Sequence, residues 1–115
     1  MKIAVTSQNF RTITGHAGKT RRFIIYETKG LEVPVESERL DLPKDMSMHS
    51  WQGGSHPIDV VDILITGGCG EGFIHKMAYR SIKVLRTSET DPMTAITTVV
   101  KGQKLPPPEP QTHKH

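Results

Sequence analysis

Between an apolar run at residues 60–66 and a segment with helical spacing, the chain reads GGCGEG: Gly67, Gly68, Gly70 and Gly72 surround Cys69, the only cysteine. A strand that runs straight into a glycine turn and then a helix leaves the helix's first N–H groups without intrahelical partners. Those groups and the helix dipole together favour an anion. Four glycines in six residues exceed what a tight turn needs, because glycine is demanded only where φ is positive or where backbone must come close. Two chemistries therefore compete for this turn: an anion nest of backbone donors, and a purely steric connection. Cys69 adds a thiol, which a helix N-terminus is expected to make more acidic and so a better ligand.

Two other loops carry residues that could bind. Residues 8–18 are polar and punctuated by glycine, and they hold His16 between Gly15 and Gly18, with Arg11 and Lys19 close by. Arg21 and Arg22 follow, and no acid occurs before Glu27, so the first quarter of the chain suits an anionic ligand. Residues 43–57, PKDMSMHSWQGGSHP, set His49 and His56 among Met46, Met48 and Trp51. Thioethers beside imidazoles suit copper or a sulfide cluster. His75 is expected to face solvent on the helix that follows the glycine turn. His113 and His115 could hold metal only weakly, in a proline-rich end whose composition predicts disorder.

Several familiar sites fail on particular residues. Gly68 and Gly70 match the first two positions of G-x-G-x-x-G, and Glu89 lies about 20 residues on, where a ribose-binding acid would sit. Phe73, however, takes the place of the third glycine, and no Gly-Lys-Ser/Thr follows to make a P-loop. A two-metal nuclease needs a carboxylate on its first strand, and KIAVTS has none. Asp59 and Asp62, flanking the fourth strand, read as residues that cap or solvate its start. One cysteine excludes both a disulfide framework and a CxxC pair. A net charge of +3 makes no case for nucleic acid. No apolar run approaches the roughly 20 residues of a membrane span, and the N-terminus lacks a signal h-region, so a cytoplasmic protein is expected.

The elements that must position these residues follow from periodicity. Residues 2–6 and 60–66 are apolar enough to be central strands. Residues 22–28 are β-prone, Lys29 and Gly30 make a turn, and the alternation of Leu31, Val33 and Val35 predicts a return strand over 31–42. After Gly72, the residues Phe73, Ile74, Met77 and Ala78 share one helical face. Residues 82–87 are the next strand. Asp91 and Pro92 open a final helix with Met93, Ile96 and Val100 on its apolar stripe, and Gly102 ends it. The expectation is one α/β domain over 1–102 followed by a flexible proline-rich tail over 103–115. Its mixed five-stranded sheet would be an antiparallel meander followed by βαβα, with helices packed on it and the first and fourth strands as central neighbours.

Taken in order, MKIAVTS, GHAGKTRRFIIYE, DILITGGCGEGFIHKM and TSETDP resemble the dinitrogenase iron-molybdenum cofactor biosynthesis family. That family includes NifX- and NafY-type cluster-binding proteins and the molybdenum-copper orange protein. The resemblance runs from residue 1 to about residue 102. It implies a ribonuclease H-like fold without nuclease chemistry, and a non-enzymatic protein that binds or carries a preformed metal-sulfur cluster of molybdenum with iron or copper. Its partners would be cluster donors and acceptors, with neither nucleic acid nor membrane involved. The family's histidine-glycine motif corresponds to His16-Ala17-Gly18, where Ala17 stands in place of the usual aromatic and would thin the apolar cover over a cluster. The resemblance thus marks His16, Gly18 and the turn of Gly67, Gly68, Cys69, Gly70 and Gly72, to which the chemistry of the residues adds Arg11 and Lys19 as binding residues and His16 and Cys69 as the candidate metal ligands. Elementary chemistry agrees, because a bulky anion that must later leave needs basic residues and backbone donors and few tight ligands. The alternative is a nucleotide or small-anion binding module that uses the same turn.

Overall fold

The structure is a computed structural model that describes residues 1–30 and 32–109. Five strands, β1 (Lys2–Thr6), β2 (Arg22–Glu27), β3 (Val35–Asp41), β4 (Ile63–Thr66) and β5 (Lys83–Arg86), form one sheet in the order β3-β2-β1-β4-β5. The first three make the expected antiparallel meander, while β1–β4 and β4–β5 pair in parallel. Two helices complete the fold, α1 (Glu71–Tyr79) and α2 (Pro92–Val100), with 3-10 turns at Lys44–Met46 and Pro57–Val60.

Strand side chains alternate between two faces, and each face has its own core. Ala4, Phe23, Ile25 and Leu64 point to the α1 side, where Phe73 and Met77 meet them together with Met48, Ile58 and Val61 from the long loop. Ile3, Val5, Ile24, Tyr26 and Ile65 point the other way, to Ala95 and Ile96 of α2. Being covered on both faces explains the unbroken apolar run of β1, in which Ile3, Ala4 and Val5 are wholly buried. Helix α2 starts as its sequence dictates: the Asp91 carboxylate accepts from Thr94 N–H at 2.8 Å and Pro92 follows. Gly102, at φ +73°, lies just beyond it.

Three predicted elements differ. The return strand begins at Val35, not Leu31, and Val33 and Val35 are 77% and 64% exposed. β3 is an edge strand held only by β2, so the apolar alternation at its start faces no core and Leu40 is its one buried residue. Leu31 itself lies outside the described residues. Residues 60–62 are not strand either. The N–H of Ile58 donates to His56 Nδ1 at 3.0 Å and that of His56 to the Asp59 carboxylate at 2.8 Å, so a capped 3-10 turn precedes β4. Backbone pairing with β1 resumes when Asp62 N–H donates to Lys2 O at 2.8 Å, while the Asp62 carboxylate accepts from Lys2 N–H. Finally, α1 begins at Glu71, and Ala78 is exposed rather than part of its buried face.

Residues 103–109 form neither helix nor strand, in keeping with their prolines. They lie against the domain: Leu105 packs on the α2-side core, Thr87 Oγ1 donates to Pro106 O at 2.8 Å, and Ser88 N–H donates to Pro107 O at 3.2 Å. His113 and His115 lie outside the described residues. Among the described residues no helix is long and apolar enough to cross a membrane.

Candidate functional site

The parallel central strands end side by side in threonines, and Thr6 Oγ1 donates to Thr66 Oγ1 at 2.9 Å. The first loop is tied to this point. Thr14 N–H donates to Thr6 O at 2.8 Å, Gly67 N–H to Thr14 O at 3.0 Å, and Ala17 N–H to Gly68 O at 3.1 Å. The loop thereby crosses over the C-terminal ends of the central strands, burying Ile13 in the α2-side core and Ala17 in the α1-side core. Its start is pinned by Phe10, at φ +56°, whose ring lies 5.5 and 5.3 Å from the guanidinium carbons of Arg22 and Arg39.

This crossing explains Gly67 but not its neighbours. A Cβ on Gly67 would meet Thr14 C at 3.3 Å and Gly15 N at 3.4 Å, so the two loops can approach only because it is glycine. A Cβ on Gly68, Gly70 or Gly72 would meet nothing within 4 Å, and none of the three has positive φ. Neither conformation nor packing requires them. Gly70, at φ −86° and ψ 171°, is the N-cap of α1 and offers no side chain to the helix's first N–H groups. The N–H groups of Cys69 and Gly70 find no acceptor among the described residues. Gly68 and Gly70 line a cavity of about 770 Å³ that opens where the two loops meet.

His16 stands at the rim of this cavity, exposed and at φ +55°, a left-handed conformation that histidine tolerates better than most residues. Its carbonyl accepts from Lys19 N–H at 2.9 Å and Thr20 N–H at 3.1 Å. A short turn carrying Gly18 and Lys19 into the cavity wall therefore hangs from it. Cys69 lines the wall and is only 9% exposed. Burial pushes its thiol above the ordinary value, Arg86 pulls it back and Glu71 adds to the rise, which reverses the expected acidification.

Of the expected residues, His16, Gly18, Lys19, Gly67, Gly68, Cys69 and Gly70 share the cavity; Arg11 and Gly72 do not line it. Asn9 Oδ1 accepts from the N–H groups of Arg11 and Thr12, a side-chain turn that keeps Arg11 on the stretch leading to the α2 side. Gly72 is already inside α1. Ala17 is buried against the core and lines the cavity together with Phe73, which supplies the larger apolar side chain of the wall. Sequence reasoning missed Arg86, Glu71, Phe73 and Pro108 and Glu109 of the tail, and it left His49 to another cluster. Arg86 had a signal: it ends a parallel strand, and ligands gather at such ends. The register pairs it with Thr66, one residue before the glycine turn. His49 N–H donates to Gly18 O at 2.6 Å, a contact between distant loops that leaves no trace in the sequence.

The proposed soft-metal cluster of the long loop is a core. His56 Nδ1 accepts from Ile58 N–H, so Nε2 carries the proton and donates to Met46 O at 2.7 Å. No lone pair remains for a metal. Met48 is 2% exposed, and Trp51 sits edge-on to the His56 ring at 5.1 Å. Burial, and to a smaller degree Arg80, pushes the His56 pKa below 6.5, outweighing the rise due to the Met46 carbonyl and Asp59. The acids read as caps act as such: Asp59 also pairs with Arg80 at 2.6 Å, and Asp62 receives Lys2 N–H. Glu89 accepts from the N–H groups of Thr90 and Asp91, so its carboxylate caps its own loop. His75 is exposed, as expected.

Among the described residues no group of three His, Cys, Asp or Glu side chains could hold a metal ion. The cavity offers a different donor set: bare amides at a helix N-terminus, two imidazoles, one thiol, and the cations of Lys19 and Arg86. Those groups fit a bulky anion with few direct bonds better than a bare cation.

Residues 1–102 match the model of the family described as dinitrogenase iron-molybdenum cofactor. Among curated proteins, none matches the chain significantly. The crystal structure of PH0822 is similar at a TM-score of 0.67, with 16% identity, over 91% of this chain and 94% of that one. The NMR structure of the Thermotoga protein TM1290, described as a candidate NifB protein of the DUF35 family, is similar at a TM-score of 0.58, with 18% identity, over 89% of both chains. At those identities the likeness shows the fold.

Proposed function

The chain belongs to the dinitrogenase iron-molybdenum cofactor family, and from that premise we propose that it binds and carries a preformed, anionic metal-sulfur cluster in the cavity between its first loop and its glycine turn. The observation that carries this reading is the pair Gly68 and Gly70, which line the cavity although neither φ nor packing requires them, beside the N–H groups of Cys69 and Gly70, which find no acceptor among the described residues. The cluster, molybdenum with iron or copper, is cargo. His16 and Cys69 supply direct bonds, Lys19 and Arg86 supply charge, and the amide N–H groups at the start of α1 donate hydrogen bonds to the cluster's sulfide or oxygen atoms. Cys69 ligates after losing its proton to solvent, a step its burial makes harder and Arg86 makes easier.

The strand order and the mixed sheet agree with a ribonuclease H-like layout. The lack of an acid on β1 supports a carrier rather than a two-metal nuclease. The nucleotide-binding alternative is weakened by Glu89, whose carboxylate is occupied by local N–H groups.

Anaerobic titration with tetrathiomolybdate and copper, followed by visible absorption at low and high salt, tests the reading. A coordinate bond is insensitive to ionic strength, whereas exposed charges are screened once the Debye length falls to ~3 Å at 1 M salt. His16→Ala should weaken uptake at every salt concentration and change the charge-transfer band. Lys19→Ala should weaken it by roughly two- to fivefold at low salt only, the scale of an exposed ion pair. If the parent takes up no cluster but is thermally stabilised by nucleotides, the carrier reading is wrong.

A further inference from the structure

The family match ends at residue 102, yet the wall of the cavity continues to residue 109. After α2 the chain packs Leu105 on the α2-side core and crosses the segment that follows β5. There Thr87 Oγ1 and Ser88 N–H donate to the carbonyls of Pro106 and Pro107. The next two residues, Pro108 and Glu109, then reach the cavity. Prolines suit such a strap, because their fixed φ keeps it extended at little entropic cost and they make no demand for N–H acceptors. Its end brings a carboxylate to a cavity whose other charged side chains are Lys19, Arg86 and Glu71. Glu71 lies 3.5 Å from Arg86, whereas Glu109 has no cation within 4 Å among the described residues.

Resting on the anion-binding reading above, we propose that residues 105–109 are a built-in competitor: Glu109 lowers the positive field of the empty cavity, and an anionic cargo must displace the strap or bind against its charge. The strap thereby sets a threshold on cargo charge. A cluster with several negative charges and several acceptor atoms gains enough from the amides and cations to bind, while a singly charged buffer anion does not. Loss of cargo lets Glu109 return.

The test uses the full chain with Glu109→Gln, and Leu105→Ala as a second variant that loosens the strap and keeps the carboxylate. The first arm needs no cargo: in the free protein, Glu109→Gln should shift the amide resonances of Gly68 and Gly70, while those of β3 stay unmoved. In the second arm, tetrathiomolybdate should bind both variants more tightly than the parent, by roughly three- to tenfold at low salt. For Glu109→Gln the gain should vanish near 1 M salt, where charges are screened. Unmoved glycine amides together with parental affinity in both variants would overturn the strap while leaving a parent that binds cluster as a carrier. Moved amides in a protein that binds no cluster would keep the strap and remove its proposed cargo.

Discussion

His56 and His16 both sit in polar, glycine-containing loops, yet both ring nitrogens of the first are engaged inside the fold while the second stands exposed at the rim of a cavity. The long loop around His56 has the softer, more metal-like composition, with Met46, Met48 and Trp51 beside the imidazole. It resolves into packing because every polar atom there can find a partner, and burying a satisfied imidazole among apolar side chains costs little. The first loop and the glycine turn retain bare amides, a histidine at positive φ and two glycines that packing does not require. Residue type thus says less about a site than what is left unsatisfied once the chain has folded.

The largest expected effect separates the two loops by stability. Met48→Ala removes a side chain that is 2% exposed from the α1-side core and should cost about 2–5 kcal/mol. The melting temperature should fall steeply, while cluster affinity, measured below the transition, should stay within about twofold of the parent. A matching loss of affinity in the folded variant would mean that the packed methionines of the long loop, and not only His49 at its cavity end, belong to the site.

Gly70→Ser sharpens the comparison from the other side. A serine N-cap can accept from the first N–H groups of α1, and its Cβ meets no neighbour. The variant should therefore be as stable as the parent or a few tenths of a kcal/mol more stable. Cluster affinity should nonetheless fall about tenfold, roughly 1.4 kcal/mol, because the serine both occupies the cradle and satisfies its donors. A stabilised protein with parental affinity would return the turn to a structural role.

The smallest effect concerns pH. His56 is held neutral, with its folded pKa below 6.5, so the unfolded chain binds more protons as pH falls through about 6.5. Stability should decline on acidification from that point until the folded pKa is passed, and it should be flat in this respect above it. Urea unfolding between about pH 5 and 8 checks the sign. His56→Gln should lose that slope while leaving cluster uptake intact.

Much of this architecture was legible in the chain. The apolar runs of β1 and β4 marked them as central, and Asp91-Pro92 marked the start of α2, because burial on two faces and helix capping act locally. The 3-10 turn at Pro57–Val60 was hidden because Val60 and Val61 extend the apolar run, and only the His56 and Asp59 cap separates turn from strand. Val33 and Val35 alternate like a core face but flank an edge strand with nothing packed on them. At the site, His16 and the glycines announced themselves by composition. Arg86, His49 and Glu109 did not, since their arrival depends on the β4–β5 register, a loop-to-loop hydrogen bond and a strap crossing after α2.

The most direct test of the claim that the unsatisfied loop, and not the metal-like one, is the site is an anaerobic titration of the isotope-labelled protein with tetrathiomolybdate, followed by amide resonances. The account predicts that His16, Lys19, Gly68, Cys69 and Gly70 are perturbed first and most, with Met46, Trp51 and His56 unchanged. Perturbation centred on Met46, Trp51 and His56, or a titration that moves no residue of the glycine turn, would contradict it.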